Sequence, residues 1–402
     1  MSRRFFLTAA WLGALTWPVL GTAAALKLAL VVSLIPAALG CWNALRRAAV
    51  VPCRGLWAAL EAASGRIPPR FQIWGLAAFL CVAPLFLRHQ TKYINLATDT
   101  LIMVLLALGL NIVLGMAGLF MLGYAAFYAI GAYAFAILSL KFQVPFWGGL
   151  VAGAAAAALV GFVVGLPSLR LRGDYLAIVT LGLGETIRYI IKNEEWLTGG
   201  TFGCPSRPVF ISFGLEPYSR KIGSPRFFGW PAAVESIHYY FLALAMVALS
   251  VVAMQRLSNS RIGRAWVALR EDETAAQAAG VPTVWAKLSA FTLSAVWAGM
   301  AGVLYAAKQK FLAPEIFDFN LSALVLSMVV LGGMGSIPGV VLGAVVLQMI
   351  PWFLRDFFPE FQNYRLLIYG GLMVLMMIWR PQGLWPNTRR KIELQEETDA
   401  VA

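Results

Sequence analysis

At 402 residues, with 60 % hydrophobic and 13 % charged residues and a mean hydropathy of +0.74, the chain is too oily for a soluble domain and reads as an all-α polytopic membrane protein. The formal net charge of +13 does not point to nucleic acid, because Lys and Arg cluster in short loops and no basic stripe alternates with aromatics. Cys41, Cys53, Cys81 and Cys204 form no C-x-x-C pair, and His89 and His238 give no zinc spacing, so no structural disulfide or metal is implied.

The N-terminus opens with Arg3-Arg4, an apolar run to Leu20 and Thr22-Ala23-Ala24, the form of a signal peptide with a small-residue cleavage site. A second apolar stretch, Ala24 to Gly40, follows at once, and Arg46, Arg47, Arg54, Arg66 and Arg70 come after it. That order favours a retained two-helix membrane hairpin with a basic cytoplasmic linker over residues 1–70. From Phe71 the apolar runs predict spans at 71–87, 93–114, 116–140, 147–166, 174–192, 238–256, 286–306, 321–335, 338–356 and 364–380. With the hairpin this makes about 12 transmembrane segments. Arg170 and Arg172, Arg256 to Arg270, and Arg380 to Lys391 all fall on the side of Arg3 and Arg4, so both termini and the 257–285 loop are expected in the cytoplasm. The 193–237 loop then lies outside. It is rich in Gly, Pro, Ser and aromatics and reads as an irregular cover. The tail 387–402 is polar, and its end from Glu393 to Ala402 is acidic and reads as disordered.

Glycine punctuates the spans. Gly109 to Gly118 holds Gly115 and Gly118, Gly123-Tyr124 follows, and Gly332-Gly333-Met334-Gly335 comes after an unusually short apolar run. Small residues let helices pack closely in lipid, and that accounts for most glycines. Interrupted segments in both halves also mark broken helices around a permeation path. Gly115-Met116-Ala117-Gly118 recurs as Gly299-Met300-Ala301-Gly302, a faint sign of duplication. Glu185 and Arg188 stand one helical turn apart in the 174–192 span. Either they only neutralise each other or they line a wet path. Asp99, near a span end, reads as simply solvated.

A charged interruption, Arg261 to Pro282, lies between two membrane-grade stretches. Each of its charges would cost about 3 kcal/mol in lipid, so it sits outside the bilayer. Its Ala, Leu, Arg and Glu are strong helix formers. Asp272 can cap the Ala-rich turns after it, and Gly280 before Pro282 can stop them. The expectation is one bent helix or two short ones at the membrane surface, serving either as a solvated connector or as a contact surface. No nucleotide-binding G-x-x-x-x-G-K-[ST] loop and no G-x-S-x-G elbow is present, so the chain is not read as an enzyme.

The run Gly263-Arg264-Ala265-Trp266-Val267-Ala268-Leu269-Arg270-Glu271-Asp272-Glu273 resembles the cytoplasmic loop of permease subunits in branched-chain amino acid ABC importers. So do Leu171 to Gly182, Val330 to Ser336, and the ending Met376 to Leu384. Together, over about Phe71 to Pro386, they resemble the LivM-type subunit, and the hairpin resembles an N-terminal extension of some members. One departure is Thr198-Gly199-Gly200 followed by Thr201-Phe202-Gly203, where the family commonly shows Pro and an Asn-Gly or Asp-Gly pair. It puts outer docking detail or substrate range in doubt.

The resemblance implies a ten-helix permease core over 71–386 in a bacterial inner membrane. It implies a second homologous permease subunit, two cytoplasmic ATPases that bind ATP and Mg, and a periplasmic amino-acid-binding protein. No cofactor is implied in this chain. Gly263, Arg264, Ala265, Trp266, Leu269, Arg270, Glu271, Glu273 and Gly280 would form the coupling element. Trp266, Leu269 and the alanines would supply its contact area, and Arg270, Glu271 and Glu273 its orientation. Gly115, Gly118, Gly123, Tyr124, Glu185, Arg188, Gly332, Gly333 and Gly335 would mark the translocation path or broken helices. A urea or short-chain amide importer of the same family stays open as an alternative. So, on composition alone, does an ion-coupled secondary transporter, although no chain of buried carboxylates supports it.

Overall fold

Apolar segments in lipid must bond every backbone N–H and C=O internally, which leaves helices as the natural state of these runs. The structure, a computed structural model, describes residues 91–142, 144, 146–169, 171, 173–198, 200, 235–309, 312–357, 369–371, 373–374 and 383–385. The expected hairpin of 1–70, the expected span 71–87, most of the expected outer loop 193–237, most of the expected span 364–380 and the tail 387–402 lie outside them.

Among the described residues all regular structure is helical. In order it comprises α1 (Thr91–Asn111), a π-helical turn (Ile112–Met116), α2 (Tyr124–Phe142), α3 (Phe146–Ser168), α4 (Asp174–Asn193) and a short α5 (Glu195–Thr198). From Glu235 on come α6 (Glu235–Ser258), α7 (Arg261–Glu271), α8 (Glu273–Ala278), α9 (Thr283–Gln309), a 3-10 turn (Pro314–Phe317), α10 (Phe319–Gly332) and α11 (Ile337–Phe357). Among the described residues, five stretches are long and apolar enough to cross a membrane: 92–116, 124–142, 146–167, 237–258 and 283–309. α4 coincides with the expected 174–192 span. Its Asp174, Glu185, Arg188 and Lys192 keep it from being uniformly apolar, while Tyr175, Ile178, Tyr189 and Ile190 are exposed.

α9 is the central post, packed along α1, α2 and α3. Small residues bring the backbones together: a Cβ on Gly299 would lie 2.9 Å from the Gly153 carbonyl oxygen and 2.6 Å from the Ala157 methyl. Gly302 similarly meets the Tyr128 backbone. The recurrent tetrapeptide therefore serves two unlike purposes. At 299–302 it is mid-helix packing, whereas at 115–118 the helix ends.

That ending corrects the expected 116–140 span, which becomes helical only at Tyr124. Ala117 N–H donates to Ile112 O (3.0 Å) and Leu119 N–H to Val113 O (2.9 Å), so the ladder widens and stops. A second shortening lies at α10. Its 14 residues reach about 21 Å, short of a hydrocarbon core of about 30 Å. The 3-10 turn precedes it, and Asp318 caps it by accepting from Leu321 N–H at 3.0 Å.

Asp99 is not simply solvated. It pairs with Lys308 at 2.6 Å, and the Lys308 ammonium also donates to Asn95 O at 2.8 Å. An ammonium placed that far into an apolar bundle needs a partner, and α1 provides it.

Candidate translocation and coupling site

The 261–281 segment resolves into two helices that meet at Asp272, whose backbone is extended. Ser260 caps α7, accepting from Gly263 N–H at 3.2 Å. Asp272 Oδ1 caps α8, accepting from Thr274 N–H at 2.7 Å and Ala275 N–H at 2.9 Å. α8 stops at Gly280, whose φ of +82° lets Val281 N–H reach Ala276 O (2.9 Å) and Gly280 N–H reach Gln277 O (3.0 Å). These are the two bonds of a Schellman stop. Both cap positions were legible in the sequence.

The faces were not. Trp266 is fully buried, its Nε1 donating to Ala286 O (2.9 Å) and Ser289 Oγ (3.1 Å) of α9. Leu269 is buried beside it. The expectation that these two supply an outward contact area is therefore corrected: an indole needs both apolar cover and a partner for its N–H, and α9 offers both. Gly263 lies against the end of α6, close enough that a Cβ would strike Leu257 O. Glu273 also turns inward, to Lys287 at 2.6 Å, whose side chain is only 3 % exposed. Ala265 is half-buried. Exposed on the other face are Ile262 (45 %), Arg261, Arg264 and Glu271. Ile262 and Lys287 escaped sequence reasoning because periodicity shows that a helix has two faces, not which partner each one meets.

Arg270 also points into the chain. Its Nη1 donates to Gly115 O at 2.9 Å, in the π turn that ends α1. Gly118, at φ +70°, has no space for a side chain: a Cβ there would sit 2.6 Å from Arg270 Cγ. From the opposite side comes the bend between α10 and α11, where Gly335 N–H donates to Asn111 Oδ1 at 2.9 Å. That bend is held in turn by Leu384 N–H on Leu331 O (2.9 Å) and Trp385 N–H on Gly332 O (3.0 Å), with Gly383 against Gly333. The sequence-predicted Gly115, Gly118, Gly332, Gly333, Gly335 and Arg270 thus gather at one junction. Asn111, fully buried, joins them. It lay inside the noticed glycine-rich stretch, and a polar residue in an apolar helix was the signal for it.

Further along the chain, α2 starts inside the bundle. Its first N–H groups would be orphaned there. Leu122 N–H donates to Thr180 Oγ1 (3.3 Å) and Ala125 N–H to Ser322 Oγ (2.9 Å), so α4 and α10 hold that terminus. Tyr124 donates to Ser294 O at 3.1 Å. Beside it is a small cleft lined by Leu122, Gly123, Ala125, Glu185, Phe317 and Asp318, among others. Arg188 pairs with Glu185 at 2.7 Å, with 22 % and 29 % of the respective side chains exposed. Gly184 leaves no free room beside α4, because a Cβ there would lie 2.8 Å from Gly123 Cα. Gly182 has open space around it. Of the predicted residues, Gly123 and Glu185 line this cleft, Arg188 reaches it only through its pairing with Glu185, and Tyr124 adjoins it. Gly280 stands apart from both clusters.

A multi-pass helical membrane protein with interrupted spans, and a helical surface loop pinned to one of the interruptions, is a transport subunit in its architecture. The chain belongs to the family described as branched-chain amino acid transport system, permease component, whose pattern matches residues 92–377. It is 48 % identical to the high-affinity branched-chain amino acid transport system permease protein LivM of Salmonella typhimurium, over 75 % of this chain and 72 % of that protein. The LivM of Escherichia coli is equally similar. More distantly, at 27 % over 56 % of this chain and 62 % of the other, it is similar to the autoinducer 2 import system permease protein LsrC of Yersinia pseudotuberculosis. No solved structure matches the chain.

Proposed function

We propose that the chain is the LivM-type permease subunit of an ATP-driven importer that carries leucine, isoleucine and valine across a bacterial inner membrane. The observation that carries this reading is the 48 % identity to LivM, which extends over 75 % of this chain. The family pattern, over residues 92–377, takes in both the pinned loop and the interrupted helices. In this reading a ten-helix core follows an N-terminal hairpin, and both termini are cytoplasmic. The subunit pairs with a second homologous permease and works with two ATPases and a periplasmic binding protein. ATP and Mg are bound by the ATPases, and this chain performs no hydrolysis.

The geometry supports a division of labour within the loop. Ile262, Arg261, Arg264 and Glu271 form the face that meets an ATPase, while Trp266, Leu269, Arg270 and Glu273 fix the loop to the bundle. Force applied to the outer face then reaches the spans with little slack. The cleft at Leu122, Glu185 and Asp318 lies where α2 and α10 both begin, and in this reading it forms part of the path. A zwitterion whose charges nearly cancel can pass a fixed ion pair there without being held tightly.

The test is reconstitution of the chain with its partner subunits in proteoliposomes. ATP-dependent uptake of radiolabelled leucine, competed by isoleucine and valine, is expected. Uptake of urea or a short amide in place of leucine would assign the subunit to the other branch of the family. Uptake driven by a proton or sodium gradient without ATP would overturn the reading.

A further inference from the structure

Resting on the reading of 261–278 as the coupling element, we propose that Arg270 is the positioning residue through which that element controls both backbone interruptions. In a continuous α-helix the Gly115 carbonyl would accept from Leu119 N–H. Here Leu119 N–H is committed to Val113 O at 2.9 Å. The carbonyl that this leaves over accepts instead from Arg270 Nη1 at 2.9 Å, a donor 155 positions away on α7. The guanidinium stands in for the missing rung, and being charged it makes a stronger bond than the amide it replaces. So long as it stays there, the widened end of α1 has no reason to rewind.

Two further observations put α7 in direct mechanical contact with the joint. Gly118 must lack a side chain because the stem of Arg270 fills the space where a Cβ would go. Gly335, at φ +82°, leaves its Cβ position 3.4 Å from Arg270 Nη1 and 3.0 Å from the Gly115 carbonyl oxygen, so the guanidinium lies between the two interruptions. Asn111 in turn clasps Gly335 with its Oδ1 at 2.9 Å, which ties the two interruptions to each other. Displacement of α7 withdraws Arg270, frees the Gly115 carbonyl and lets the 112–123 segment change its path toward the cleft at Leu122 and Gly123.

The experiment compares Arg270→Met, which keeps the stem and loses the donor, with Arg270→Lys, which keeps one donor. Both are assayed in the reconstituted complex for leucine uptake and ATP hydrolysis. Loss of a charge-assisted bond predicts that uptake per ATP hydrolysed falls at least about 10-fold in Arg270→Met, with hydrolysis within about 2-fold of the parent and Lys restoring most of the ratio. A second measurement needs no substrate. In a chain with its four cysteines replaced by Ser, a Phe120→Cys reporter lies on the exposed part of the 117–123 segment. Its rate of thiol labelling should change on adding ATP, and that response should vanish with Arg270→Met and return with Arg270→Lys. An unchanged ATP response in Arg270→Met, equal loss of uptake and hydrolysis, or failure of the complex to assemble would each overturn the proposal. Absence of leucine uptake by the parent complex would instead overturn the assigned function, leaving the labelling result to judge Arg270.

Discussion

Replacing Trp266 separates a loop that is anchored by its indole from one that docks with it. Trp266 is fully buried against α9, and its Nε1 donates to Ala286 O and Ser289 Oγ. Trp266→Ala removes the ring and both bonds, and a truncation of this kind costs about 3–5 kcal/mol. Because the loss falls on one local contact, it should appear as opening of the 257–285 segment, with the open population raised on the order of 10²-fold or more. Trp266→Phe keeps most of the apolar cover. Ser289 Oγ already donates to Ala286 O at 2.9 Å, so the carbonyl keeps a partner, and the cost should be about 1 kcal/mol. Limited trypsin digestion of the detergent-purified chain reads the opening through cleavage at Arg261, Arg264 and Arg270. Rapid cutting in Trp266→Ala with near-parental resistance in Trp266→Phe is expected, and ATPase association should fall in step with the cutting. Parental resistance in Trp266→Ala together with lost ATPase association would show that the indole faces the partner, and the anchoring account would be wrong.

Gly118→Ala should be damaging on two counts, since a left-handed backbone costs a side chain about 1–2 kcal/mol and the Arg270 stem occupies the site; leucine uptake should fall several-fold while the protein still inserts. Glu273→Gln should lower thermal stability in detergent by up to about 3 kcal/mol, because it removes the countercharge of a nearly buried Lys287 and leaves it the Leu169 carbonyl at 3.5 Å, and Lys287→Met added to it should recover most of the loss. Neutralising the Glu185–Arg188 pair distinguishes a path from a brace: if the pair lines the path, Glu185→Gln and Arg188→Gln should each alter uptake rate with assembly intact, and the double variant should not rescue. Restored transport in the double variant would make the pair purely structural.

Much of the fold was legible because lipid imposes a simple demand on sequence. The long apolar runs became α1, α2, α3, α6 and α9 within a few residues of their expected limits, except at 116–123. Asp272 and Gly280 were readable because capping is local chemistry. What escaped depends on contacts distant in sequence. Arg270 finds Gly115 across 155 positions and Asn111 finds Gly335 across 224, and no periodicity encodes either pairing. Charges gave the least reliable guidance. Asp99, Glu273 and Arg270 all read as solvent- or partner-facing, yet each is paired inside the bundle, because a half-buried charge is retained only where a neighbour satisfies it.

The division of the loop into an outer face and an anchored face is tested most directly by site-specific photocrosslinking in the assembled complex. Benzoylphenylalanine in place of Ile262 or Glu271, both exposed, should crosslink to an ATPase subunit, and the same group in place of buried Trp266 should crosslink only within the chain. Crosslinking to the ATPase from position 266 and not from 262 or 271 would contradict the account.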